Sequence, residues 1–208
     1  PRKLERREKM MKTKIFCVVT IALTLASGAF AQTEADKKFT EDLRAAVAMY
    51  RDGKTSAAIS ELELLQKSRP EDVDANAWLG FLYLRTDRPT AAVPMLEAAY
   101  AKRPNDIEIM NNLGSSQMLT ANYDRALAVF TRLVDLRPTS FEGWYNIGTI
   151  HLRSKALPLA KAALSKSLEI KADDAFALNN LGSACEGLGE FSAAASHYVR
   201  ASNSRPTN

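Results

Sequence analysis

The sequence predicts an all-α fold, an α-solenoid of five stacked helix-turn-helix repeats with about ten helices. Three observations predict it: residues recur with a period of 34, each period holds two segments with helical spacing of apolar residues, and small residues stand at fixed places in the period. The small residues form two columns, one of leucine or isoleucine followed by glycine and one of alanine. These columns are Leu79-Gly80, Leu113-Gly114, Ile147-Gly148 and Leu181-Gly182, and Ala58, Ala92, Ala126, Ala160 and Ala194.

The two helices of each period follow from the turn residues between them. In the second period, residues 73–86 and 89–102 have helical spacing of apolar residues, and Asp87-Arg88-Pro89 separates them. Glycine and alanine have little or no side chain, so the two helices of a hairpin are expected to approach closely at their columns. A hairpin of 34 residues is shorter than the roughly 40 residues that sustain a core alone. The hairpins are therefore expected to stack.

The order of residues within the period resembles the tetratricopeptide repeat, whose signature is Trp-x2-Leu-Gly-x2-Tyr, then Ala-x3-Phe, then Pro. Trp144-x2-Ile147-Gly148 matches the first part, and Ala126-x3-Phe130 matches the second. The resemblance implies a right-handed solenoid with a concave groove and a role in binding other proteins. It covers residues 39–208, in the frames 39–72, 73–106, 107–140, 141–174 and 175–208.

Residues 1–31 have the pattern of a few upstream residues followed by a cleavable signal peptide. Lys12 and Lys14 precede an apolar run of twelve residues at 15–26, and Ala29-Phe30-Ala31 is a small-x-small cleavage site. Twelve helical residues rise only about 18 Å, which is short of a hydrocarbon core of roughly 30 Å. We therefore expect cleavage after Ala31, export to the bacterial periplasm or medium, a polar lead-in at 32–38, and no membrane insertion of the mature chain.

The charge of the mature chain argues against a nucleic acid partner. The full sequence has a formal charge of +4, but residues 1–31 hold seven Lys or Arg and two Glu, which leaves 21 basic and 22 acidic residues. A nearly neutral domain has no surplus of cations with which to neutralise phosphates. We expect no nucleic acid and no cofactor.

Two side chains, His151 and Cys185, suggest chemistry because they occupy the same position in adjacent repeats. One interpretation is a Cys–His nucleophilic pair, which needs direct contact and an orienting third group. The other, which we favour, is a pair of interior residues in the seam between repeats. A metal site needs at least a third ligand, and the pattern supplies none. The sequence therefore predicts no enzyme and no metal site.

The groove of the family that this chain resembles is lined by the first helix of every repeat. The resemblance places Asn112, Asn146 and Asn180 at one groove position of three adjacent repeats. An amide both donates and accepts hydrogen bonds, so such a ladder suits the backbone of an extended peptide. The alternative, which stays open, is that asparagine is simply common at this position of the repeat. The other candidate groove residues are Trp78, Phe81, Tyr145, Arg85, Arg153, Ser115, Thr149 and Ser183.

The predicted function is that of an adaptor that binds an extended segment of a protein or peptide partner in the groove. Family members that hold a C-terminal carboxylate carry Lys and Arg in the first groove positions, whereas this chain has Asp74, Glu108 and Glu142 there. A carboxylate clamp is therefore rejected. The alternative function is a self-associating structural protein of the cell envelope, a homo-oligomer joined through the exposed end of the fifth repeat.

Overall fold

The computed structural model describes residues 33–204, so the predicted signal peptide and its cleavage site lie outside the described residues. The described residues form ten helices and no strand, and the predicted all-α repeat fold is confirmed. No helix among them has the length and apolar character needed to cross a membrane. The helices are α1 (33–51), α2 (Thr55–Ser68), α3 (Val73–Arg85), α4 (Pro89–Lys102), α5 (Ile107–Leu119), α6 (Tyr123–Leu136), α7 (Phe141–Arg153), α8 (Leu157–Ile170), α9 (Ala175–Gly187) and α10 (Phe191–Asn203).

The chain divides into two compact units, residues 1–61 and 62–208. The described part of the first unit holds α1 and the beginning of α2. Its buried apolar side chains are Phe39, Ala46, Ala58 and Ile59.

The second unit is a series of helical hairpins in which α3 packs on α4, α5 on α6, α7 on α8 and α9 on α10. Each hairpin also packs on the next, through α4 against α5, α6 against α7 and α8 against α9. The first helices of neighbouring hairpins contact each other as well, from α3 through α5 and α7 to α9. We call the surface of these four helices the first-helix face.

In each hairpin of the second unit, the two helices are in close contact at the glycine of the Leu-Gly column. This glycine packs against a large side chain that lies sixteen residues later in the sequence. A Cβ on any of these glycines would come within 2.5–2.6 Å of that side chain, a separation too short for two carbon atoms. The close approach that the glycine column predicts is therefore present in all four hairpins of the second unit. The pairs are Gly80 with Leu96, Gly114 with Phe130, Gly148 with Leu164, and Gly182 with Tyr198.

The turn inside each hairpin uses one residue with positive φ. In the third hairpin that residue is Ala121, with φ of 60°, and the next amide, of Asn122, donates 2.7 Å to the carbonyl of Gln117. In this helix-ending motif, a left-handed residue is followed by an amide that donates a hydrogen bond to a carbonyl in the last turn of the first helix. Carbonyls that have no partner inside the helix are satisfied in this way. The same conformation recurs every 34 residues, at Gly53, Asp87, Ala121, Lys155 and Gly189.

The turns between hairpins end in a side chain that caps the next helix. Oδ1 of Asp106, for example, accepts from the amides of Glu108 and Ile109 at 3.0 and 3.2 Å. An oxygen at this place satisfies amides that have no partner inside the helix. The caps of α3, α5, α7 and α9 are Asp72, Asp106, Ser140 and Asp174.

Candidate functional site

The first-helix face holds a cavity of about 510 Å³ between α3 and α5. Trp78 and Phe81 form part of its wall, with ring centroids 5.8 Å apart and ring planes at 83°. Three residues predicted from the sequence to face a groove, Trp78, Phe81 and Asn112, thus lie around one cavity. The lining residues are Asp74, Ala77, Trp78, Phe81, Arg103, Asp106, Glu108, Ile109, Asn111 and Asn112.

The cavity lining carries an excess of negative charge. It contains the carboxylates of Asp74, Asp106 and Glu108 and a single guanidinium, that of Arg103. Arg103 is already engaged, because its Nη1 and Nη2 donate to the two oxygens of Asp74 at 2.7 and 3.2 Å. These hydrogen bonds raise the pKa of Arg103 above its usual value, which keeps the group charged. Arg103 also interacts electrostatically with Asp106, so one guanidinium faces three carboxylates and the lining has a net charge of −2.

Arg103 and Asp106 were not among the groove residues predicted from the sequence. Arg103 follows the end of α4 and reaches the first-helix face by its ion pair across to Asp74 in α3. Asp106 was recognisable in principle, because an Asp immediately before an apolar-periodic segment is a helix-start signal. Nothing in the spacing alone indicates that an arginine at the end of one helix is held by the helix before it.

The three asparagines of the predicted ladder are all half-buried, but they differ in their contacts. Nδ2 of Asn180 donates to Oγ1 of Thr149 at 3.2 Å and lies 3.5 Å from the hydroxyl of Tyr145. Within residues 33–204, the side chains of Asn112 and Asn146 make no hydrogen bond. The ladder therefore has one member tied to the preceding hairpin and two with their hydrogen-bonding groups unused by the described residues.

A second aromatic group lies on the first-helix face around α7 and α9. Tyr145 stacks on Phe141 with centroids 5.8 Å apart and planes at 13°, and the ammonium of Lys171 lies 5.1 Å from the Phe141 centroid. Phe176, in the first turn of α9, is 70% exposed. Of this group, Tyr145 alone was predicted from the sequence to line the groove. Phe176 could have been recognised from the sequence as a candidate groove residue, because it occupies the position at which the three earlier hairpins carry an acidic residue.

Several other predicted groove residues do not line the cavity. The guanidinium of Arg153 lies 5.0 Å from the ring centroid of Tyr123, at the seam with the preceding hairpin. Oγ of Ser183 lies 3.2 Å from the hydroxyl of Tyr198, on the second helix of its own hairpin. Thr149 donates to the carbonyl of Tyr145. The remaining two are Ser115, which is half-buried in α5, and Arg85, which is exposed in the last turn of α3.

The surroundings of Cys185 do not form a nucleophilic site within the described residues. Its side chain has no exposed surface. Burial raises the pKa of the thiol, and the neighbouring carboxylate of Glu190 raises it further. Glu190 in turn forms an ion pair with Lys161 from the preceding hairpin. Such a thiol is protonated at neutral pH and is a poor nucleophile.

No group of three or more His, Cys, Asp or Glu side chains within residues 33–204 is arranged to hold a metal ion.

Comparison with known protein families identifies the repeat. Two models described as tetratricopeptide repeat match the chain, one at residues 43–107 and 111–175 and the other at residues 177–208. No curated protein is similar enough in sequence to count as a relative.

Solved structures with the same fold include several of MamA. A crystal structure of MamA protein has a TM-score of 0.74 and 21% identity, over 80% of this chain and 91% of that chain. A MamA labelled MSR-1 has a TM-score of 0.71 and 18% identity, over 80% and 96%. A double mutant of MamA labelled RS-1 has a TM-score of 0.74 and 17% identity, over 80% and 94%. At these identities the likeness shows the fold alone.

Proposed function

The chain belongs to the tetratricopeptide repeat family, and we propose that it is an adaptor that binds an extended segment of a partner protein along the first-helix face. The observation that carries this proposal is the cavity between α3 and α5. Its walls combine two aromatic rings with the amide of Asn112, whose hydrogen-bonding groups no other described residue uses. Concave sites that combine aromatic surface with positioned polar groups are typical of ligand-binding surfaces.

The spacing of the hairpins suits an extended chain. Packed helices lie roughly 10 Å apart, and an extended peptide rises about 3.3 Å per residue. A segment lying across α5 and α7 would therefore meet Asn112 and Asn146 at intervals of about three residues. Each amide offers a donor and an acceptor, so it pairs with a peptide N–H and C=O regardless of the side chain.

The experiment that tests this proposal is site-specific photocrosslinking. A photoreactive residue at Ala77, in the cavity wall, is expected to capture the partner in native material. The matched control is the same residue at Ala128, which is exposed on α6 and lies outside that cavity. Capture at Ala77 should fall when Asn112 and Asn146 are both changed to Ala. Equal capture at the two positions, or capture that the double substitution leaves unchanged, would contradict groove binding.

We also propose that the protein is exported, on the evidence of the charged, apolar and small-x-small segments in residues 1–31. The expected mature N-terminus is Gln32. N-terminal sequencing of protein recovered from the periplasm or medium tests this, and an intact N-terminal segment on that protein would contradict cleavage.

A second candidate function, self-association, is favoured by the outer surface of α10. Phe191 is 70% exposed and Val199 is 60% exposed, whereas Leu157, at the place of Phe191 one period earlier, packs against Gly187 of the next hairpin. Measuring mass across a range of protein concentrations tests this candidate. An oligomer that Phe191→Asp dissociates, and that Ser192→Asp leaves intact, would support it. A monomer at all concentrations would exclude it.

A further inference from the structure

We infer that the cavity between α3 and α5 receives an arginine or lysine side chain of the partner segment, together with an apolar neighbour of that residue. This inference rests on the proposed function, because it names the chemistry of the segment that the first-helix face binds. Three features of the lining carry it: its charge, its aromatic rings and its volume.

The charge of the lining selects a cation. Three carboxylates face the cavity against one guanidinium, and that guanidinium is occupied by a two-point ion pair with Asp74. Glu108 is exposed in the first turn of α5, and no hydrogen bond within the described residues engages its carboxylate. An acidic segment would be repelled here, since like charges brought together at an interface oppose binding. A guanidinium or ammonium of the ligand offsets the net negative charge of the lining and pairs with the unengaged carboxylate of Glu108.

The aromatic wall favours the same ligand. A cation over the face of an indole or phenyl ring is attracted by the negative charge of the ring face. The methylene stem of arginine or lysine also packs on apolar surface while its charged end stays polar. Trp78 and Phe81 meet edge to face, so they form a corner in which an aliphatic stem contacts both rings. The charged end then lies toward α5 and Glu108.

The volume of the cavity indicates more than one side chain. About 510 Å³ lies within the range of roughly 300–1,000 Å³ that holds whole small ligands. A single arginine side chain leaves part of this space unfilled. A neighbouring apolar residue of the segment fills it against Ala77 and Ile109, the aliphatic residues of the lining.

The test uses a phage-displayed library of random dodecapeptides selected on the purified protein. The expected binders contain Arg or Lys beside an apolar residue. Replacing that Arg by citrulline, which has the same shape and no charge, should weaken binding by about tenfold. Glu108→Lys should weaken it at least as much. The matched control is Glu142→Lys, the equivalent exposed position at the start of α7, which lies outside the cavity.

A separate titration with N-acetyl-arginine amide distinguishes a segment from a free cation. The isolated compound should bind at least a hundredfold more weakly than the peptide, since it lacks the backbone and apolar contacts. Equal binding of the two would overturn the assignment to a protein segment.

The possible results separate this inference from the proposed function. Peptides that bind equally with citrulline, or equally to Glu108→Lys, would overturn the cationic pocket alone. Binding along the first-helix face would still be supported if changing Asn112 and Asn146 to Ala weakened the binding of those peptides. Peptides insensitive to every substitution on the first-helix face, or a library that yields no binder, would overturn both.

Discussion

The backbone of Gly114 lies directly against the ring of Phe130. A Cβ at Gly114 would stand 2.5 Å from Cζ and 2.7 Å from Cε2 of that ring. Phe130 is fully buried, in a cluster with Leu113, Leu133 and Ile147. The ring therefore has no open space into which it could move. The two helices of this hairpin, α5 and α6, approach as closely as they do because residue 114 has no side chain.

This contact predicts that Gly114→Leu destabilises the protein by about 1–3 kcal/mol, the usual cost of overpacking a core. The matched control is Ala128→Leu, in the same hairpin on an exposed position of α6. The control should change the free energy of unfolding by less than about 0.5 kcal/mol. Urea denaturation of both variants measures the difference, and equal midpoints would contradict the packing described here.

The positive-φ turn residues predict a stabilising substitution. Ala121 adopts φ of 60°, a conformation that costs an L-residue with a Cβ roughly 1–2 kcal/mol. Ala121→Gly removes that cost but gives the unfolded chain more freedom, worth roughly 0.4–1 kcal/mol. We expect a net stabilisation of about 0.5–1 kcal/mol, measured by thermal or urea denaturation.

The reverse substitution at the last turn is the control. Gly189 has φ of 79°, and a Cβ there would meet nothing within 4 Å. The same two contributions apply with opposite sign, so Gly189→Ala should destabilise the protein by about 0.5–1 kcal/mol. If both substitutions shifted stability in the same direction, the left-handed conformation would not be the cause.

The buried environment of His197 leads us to expect that the protein loses stability in mild acid. Burial lowers the pKa of His197 below the 6.5 of a free imidazole, and the positive charges of Arg200 and Lys161 lower it further. Its Nδ1 is buried and has no hydrogen-bond partner within the described residues. The unfolded chain therefore binds a proton at a higher pH than the folded chain, so stability is retained above pH 6.5 and falls as the pH drops below it.

The measurement for His197 is the free energy of unfolding between pH 7.5 and pH 5.5. His197→Gln should reduce the slope of stability against pH in this interval. The control, Ser196→Gln, lies on an exposed position of the same helix and should retain the slope. An unchanged slope in His197→Gln would assign the pH dependence to other groups.

The fold was predictable because its determinants repeat within the sequence. The glycine column, exemplified by Gly80 and Gly148, marks the same contact in each hairpin, and the partner of each glycine lies sixteen residues later in the same repeat. A contact of this kind is local in sequence and recurs every 34 residues. Periodicity therefore indicates the helices and their pairing before any tertiary structure is known.

The candidate site was only partly predictable, because it depends on contacts between repeats that differ in sequence. Arg153 was expected in the groove, but the ring of Tyr123 holds its guanidinium at the seam. Ser183 was also expected in the groove, but its hydroxyl lies beside that of Tyr198 on the second helix of its hairpin. Tyr198 departs from the leucine that is most common in its column, and the column of Tyr123 holds a different residue in every repeat. The position within the repeat indicates the helix face on which a residue lies. The contact that its polar group makes depends on the side chain of the adjacent helix, which differs from repeat to repeat.

The three asparagines of the ladder differ in what they are expected to contribute to stability. Asn180 donates to Thr149 at 3.2 Å, whereas the residue at the place of Thr149 one period earlier, Ser115, forms no such bond with Asn146. Asn180→Ala should therefore cost about 0.5–1.5 kcal/mol of stability, the usual net contribution of one hydrogen bond. Asn112→Ala and Asn146→Ala should each remain within about 0.5 kcal/mol of the unsubstituted protein, as measured by urea denaturation.

For affinity to the partner segment, we expect the substitutions at Asn112 and Asn146 to have a larger effect than the substitution at Asn180. Asn112 and Asn146 have both amide groups available, so their loss removes two backbone contacts of about 1 kcal/mol each. The double variant Asn112→Ala/Asn146→Ala should then bind the captured segment about thirtyfold more weakly, while Asn180→Ala changes affinity less because its Nδ2 is already committed to Thr149. Isothermal titration calorimetry with that segment measures both. If the double variant binds normally and remains fully folded, asparagine at this position is only a common feature of the repeat, and the partner binds elsewhere on the chain.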